Sequence, residues 1–195
     1  SNRPQSSPKA PGHFYKLSTE LFSDYASKYR FIYIPPGSAM GFSVSDVFDL
    51  PIGSVLVKTF AMPFDTAVRT EDDERLIETR LLIHREDGWV GLPFQWQDDG
   101  QEAVLKKYGA LVDVSITHQQ ETHNFRYEIP STSSCKSCHQ RQVNEDQTLF
   151  SPIGLKARFL NWSLIQEGPS QLRIMQEKSL LSGTAEDLRE VISVP

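Results

Sequence analysis

Residues 76–96 read LIETRLLIHREDGWVGLPFQW, and this stretch decides the fold class. Residues 77–84 are rich in aliphatic side chains, with Glu78 and Arg80 interleaved. Such partial alternation marks a strand with unlike faces. Asp87-Gly88 is a strong hairpin turn signal, because a tight turn between twisted strands needs positive φ at its centre. Residues 89–96 then form the returning strand. The middle of the chain is therefore an antiparallel hairpin.

Further strands lie on both sides of it. Residues 54–60 (SVLVKTF) follow the turn signal Pro51-Ile52-Gly53, and residues 29–34 (YRFIYI) end at Pro35-Pro36-Gly37. Toward the C-terminus, residues 110–117 and 124–129 form a second hairpin-like pair. Residues 19–28 read as a short helix or turn, and 101–108 as a short helix. Residues 29–130 are thus expected to form an antiparallel sheet, packed as a sandwich or partial barrel. The acidic run Glu71-Asp72-Asp73-Glu74 lacks a calcium-loop pattern and reads as a solvated loop.

At Pro130 the pattern changes. A polar cluster leads into Cys135-Lys136-Ser137-Cys138-His139, which holds both cysteines of the chain. Helical patterns follow at 153–162, 169–181 and 185–192, with Ser170 or Ser182 as a candidate cap and Gly168 and Gly183 as stops. The formal net charge of −5 argues against binding nucleic acid, which requires a basic face. No apolar run approaches the roughly 20 residues that span a bilayer. The chain starts with a polar, proline-rich arm, and no signal peptide is visible.

Two cysteines three apart with histidine next to the second form the signature of covalent haem c attachment. One helical turn brings both thiols to the two vinyl groups of one porphyrin. The adjacent imidazole then reaches the iron as its proximal ligand. Cys135 and Cys138 are the expected attachment residues, and His139 is the expected iron ligand. The distal ligand is left open: Met175 ranks first, then Met62 and Met40, with His118 and His123 as alternatives. Lys156 and Arg158 are candidate propionate partners. Phe150, Leu155, Phe159, Leu160, Trp162 and Leu172 are candidate walls. Two other chemistries compete. Cys135 and Cys138 with His118 and His123 have the spacing of a zinc site, which would make the chain a zinc-stabilised binding module. A redox CxxC is the other, although the βαβ setting it needs is not visible.

Several segments together resemble a family of secreted bacterial di-haem c-type cytochromes. They are LFSDYASKYRFIYIPPG, LPIGSVLVKTF, LIETRLLIHREDGWVGLPFQW, YEIPSTSSCKSCH and SPIGLKARFLNW, in that order. The resemblance spans residues 20–185. It implies a β-rich region before a first haem site, export, and attachment of haem in the periplasm. Family members continue into a second haem part with its own motif, whereas this chain carries one motif.

The expected architecture is α+β. A flexible arm (1–18) precedes a β-rich antiparallel domain (19–130) and a small α-helical cytochrome c-like module (131–195). The expected function is electron transfer by one haem c in the periplasm or after secretion, by a carrier and not an enzyme. An unidentified redox protein is the expected partner, and homo-oligomers are compatible with the sequence. An open distal position would favour ligand binding or peroxidase-like chemistry instead.

Overall fold

The computed structural model describes residues 11–68, 70–144, 147–184, 188, 191 and 192, with backbone alone for 136, 138, 140–144, 147 and 148. In chain order the elements are β1 (His13–Tyr15), β2 (Ser27–Tyr33), β3 (Met40–Gly41), β4 (Val55–Pro63), β5 (Glu74–Arg85), β6 (Gly88–Trp96), β7 (Ala103–Leu105), β8 (Ala110–His118) and β9 (Glu121–Ile129). Then come α1 (Thr132–Cys138), β10 (Gln140–Asn144), β11 (Gln147–Phe150), α2 (Ala157–Leu160), α3 (Gln171–Glu177) and β12 (Leu181–Ser182).

The framework is one six-stranded sheet in the order β1-β2-β4-β5-β6-β7. All its pairings are antiparallel. The hairpin read from 76–96 is its centre: β5 and β6 pair from Arg85↔Gly88 to Glu78↔Gln95. Gly88 carries the positive φ of 111° that the turn requires. β8 and β9 form a separate ribbon, and an isolated bridge ties Asp65 to Thr117 beside it.

One face of the sheet is covered by two apolar clusters. At one end Tyr15, Ile32 and Leu56 meet Leu155, Ala157, Leu160, Leu172, Met175, Leu180 and Leu181 from the C-terminal segment. At the other end Phe60, Met62 and Ile77 meet Val114, Ile116, Tyr127 and Ile129 of the ribbon. The opposite face, with Val57, Leu81, Ile83, Leu92 and Phe94, is only partly buried.

The expected helical module is not present. Among the described residues strand makes up 43% and helix 10%, in three short helices. A cytochrome c-like bundle therefore does not form, and the chain is mostly β and not α+β with a haem-binding helical half. The physical reason is length. α2 has four residues and α3 seven, too few to be stable without tertiary contacts. The two touch each other and share one apolar cluster with Tyr15, Ile32 and Leu56 of the sheet, and Leu181 pairs with Met40 as a parallel bridge. The helix expected at 185–192 falls largely outside the described residues. One smaller expectation also changes: residues 101–108 hold edge strand β7 in place of a helix. Of the helix or turn expected at 19–28, residues 24–25 form a turn before β2. The arm expected at 1–18 lies outside the described residues up to 10, and residues 13–15 form β1 against β2.

Candidate functional site

α1 carries the Cys-x-x-Cys-His run and lies against β6. Its helical turn continues through the motif: Cys135 N–H donates to the Ser131 carbonyl at 3.1 Å, and His139 N–H to the Cys135 carbonyl at 3.2 Å. Cys135 and His139 therefore stand one turn apart, on the same side of the helix. At the N-terminal end, Thr132 N–H donates to the Lys107 carbonyl at 3.0 Å, which ties the helix to the chain after β7.

Cys135 is buried, and Gly91 of β6 makes the room. A Cβ at position 91 would lie 2.9 Å from Cys135 Cβ, 3.4 Å from Cys135 Sγ and 3.4 Å from Phe150 Cζ. Only a residue without a side chain lets α1 approach this closely.

His139 is half-buried. Its Nδ1 lies 3.2 Å from the Ser151 carbonyl, and its ring meets Phe150 edge-on with centroids 5.8 Å apart. Ser151 N–H in turn donates to the His139 carbonyl at 2.8 Å. A carbonyl can only accept, so this contact places the proton on Nδ1 and leaves the Nε2 lone pair available. Burial lowers the pKa of His139. The Ser151 carbonyl opposes that shift, and the charges of Lys58 and Arg80 add to it. Burial thus favours the neutral imidazole, the form that ligates a metal.

The floor beneath this corner is charged. Glu78 is fully buried. It accepts from Arg80 Nε and Nη2 at 2.9 and 2.5 Å, and from Tyr127 OH at 2.7 Å. Lys58 lies beside Arg80, and burial pulls its pKa down to about 7, helped by Arg30, Arg80 and Lys28. None of these groups stood out in the sequence. Their only signal was polar residues inside strands read as half-buried.

The other sequence candidates are dispersed. Met175 and Met40 are buried in the cluster at the β1–β4 end, and Met62 in the cluster under the ribbon. Lys156 bridges Val47 through the backbone just before α2. Arg158 is exposed, with its guanidinium 4.9 Å from the Phe159 ring centre. His118 and His123 lie together at the tip of the ribbon, 5.9 Å apart, with His118 against Tyr25 and Thr66. Cys135 sits at the level of Gly91, which is in line with Leu82 and Leu56. From Leu56 to the end of β4 at Pro63 is about 23 Å of strand, and the histidines lie beyond that end. The four-residue zinc set is therefore not brought together. No group of three or more metal-ligating side chains occurs among the described residues. The side chain of Cys138 lies outside the described residues.

Comparison with family models, with curated proteins and with solved structures found no match to this chain. No helix among the described residues is long and apolar enough to cross a membrane.

Proposed function

We propose that this chain binds one haem c through Cys135 and Cys138, with His139 as the proximal ligand, and carries electrons in the periplasm. The observation that carries the reading is the seating of His139. Its ring is half-buried, which favours the neutral form, and its Nδ1–H is anchored on the Ser151 carbonyl, which leaves Nε2 to ligate. Proximal histidines need such an anchor to fix their tautomer and orientation.

The residues present fit the group. Cys135 and Cys138 would hold it through two thioethers, each formed when a thiol adds across a vinyl group. Gly91 gives Cys135 its place on the sheet, and Phe150 shields one side of the imidazole. When bound, haem supplies a one-electron iron couple, taking the electron from a reduced protein partner and passing it to an oxidised one.

The test is maturation. Co-expression with periplasmic haem-attachment machinery is expected to yield red protein that keeps its haem on a denaturing gel. Cys135→Ala and Cys138→Ala should each reduce that covalent retention. His139→Ala should keep the colour and change the spectrum. A colourless protein carrying one zinc per chain would overturn the proposal.

A further inference from the structure

On the covered face of the sheet, Tyr15, Arg30, Lys58, Arg80 and Pro93 stand side by side across β1, β2, β4, β5 and β6. Three neighbours in this rung are cations. Like charges directly opposite one another weaken a sheet, and burial raises the cost. Two of the three have carboxylates. Arg30 Nη1 donates to Glu20, and Arg80 is paired with Glu78.

Lys58, between them, makes no hydrogen bond or ion pair among the described residues. Its Nζ lies 4.5 Å from the centre of the Phe60 ring, and Arg80 Cζ lies 4.5 Å from the same centre. The ring face offsets part of the repulsion but cannot accept a full ammonium group. The rung is thus one negative charge short. Arg80 spends two of its five donors on Glu78, so donors remain beside the lysine.

The position links this deficit to the motif. The next rung toward β12 contains Gly91, on which Cys135 rests. The charges of Lys58 and Arg80 act on His139.

We infer that Lys58, flanked by Arg30 and Arg80, is a binding site for an anionic oxygen group, a carboxylate or phosphate, beside the Cys135–His139 motif. Resting on the proposed function, the natural occupant is a propionate of the attached haem. A free anion would use the same donors.

The experiment measures thermal unfolding of the matured full chain as wild type, Lys58→Met and Lys58→Arg. Each is measured in low-salt buffer with and without inorganic phosphate. If a propionate occupies the site, Lys58→Met lowers Tm by several degrees, Lys58→Arg restores most of the loss, and phosphate moves none of them. If the anion is free, phosphate raises Tm of wild type and Lys58→Arg but not of Lys58→Met. A higher Tm for Lys58→Met with no response to phosphate in any sample overturns the inference, because the lysine is then merely a buried repelling charge. A colourless matured protein defeats the haem reading alone. The phosphate response then decides the anion site: a rise abolished by Lys58→Met upholds it, and no rise overturns it.

Discussion

At the scale of the residue, Glu78 holds the charged rung together. It is fully buried and bound by Arg80 twice and by Tyr127 once. Removing its charge leaves Arg80 and Lys58 facing each other without compensation. Glu78→Gln is expected to cost about 3–5 kcal/mol, the range for breaking a buried pair. Tyr127→Phe removes one hydrogen bond and should cost about 1–2 kcal/mol. Urea unfolding of the two variants tests this, and a Glu78→Gln cost no larger than that of Tyr127→Phe would contradict it. Alternation in the sequence marked Glu78 and Arg80 as one face of a strand. It did not tell which face would be covered, because residues of the alternate face further along the strand, such as Leu81 and Ile83, are apolar enough for a core and yet lie on the part-buried side.

At the scale of the element, α1 is too short to persist by its own propensity. It has seven residues and no acidic residue in its first turn. Its stability comes from the seat on β6. Gly91→Ala is therefore expected to push the helix off the sheet, since the new methyl would lie 2.9 Å from Cys135 Cβ. The loss should be about 1–3 kcal/mol, as for other overpacked sites. Haem retention in the matured protein should fall with it. Urea midpoints and haem staining of a denaturing gel read the two effects. Wild-type values for both would show that α1 does not depend on this contact. The hairpin turn and both hairpins were legible because turn chemistry is local. Edge strand β7 was not, since Ala103–Leu105 becomes a strand only by pairing with the end of β6.

At the scale of the whole molecule, the C-terminal segment and the sheet share one core. Seven of its buried residues, from Leu155 to Leu181, pack on Tyr15, Ile32 and Leu56. A chain truncated after Pro130 is expected to lose cooperative unfolding, with dye-binding apolar surface exposed. A sharp denaturation transition in that fragment would show the sheet to be self-sufficient. Lys58 also gives the molecule a pH dependence. Its folded pKa of about 7 lies below its ordinary 10.5, so between these values the unfolded chain binds more protons. Stability must then rise with pH across that window, and the penalty is fully present below pH 7. The slope due to this group is roughly 1 kcal/mol per pH unit. Urea unfolding from pH 7 to 10 should show the slope in wild type without bound anion and its loss in Lys58→Met. Equal slopes would exclude Lys58 as the source. An anion on Lys58 flattens the same curve by holding its proton.

The sequence by itself determined what is local. The Asp87-Gly88 turn, the strands around it and the Cys135–His139 spacing all depend on residues within a few positions of each other, and backbone geometry transmits their preferences directly. The tertiary structure decided everything that depends on distant partners. It turned a presumed helical module into short helices laid on a sheet, because four to seven residues of helix have no stability apart from the face that covers them. It separated His118 and His123 from the cysteines by the length of a strand. It also brought Arg30, Lys58 and Arg80 into one partly buried rung under the motif, an encounter set by strand register and by no pattern within any one segment.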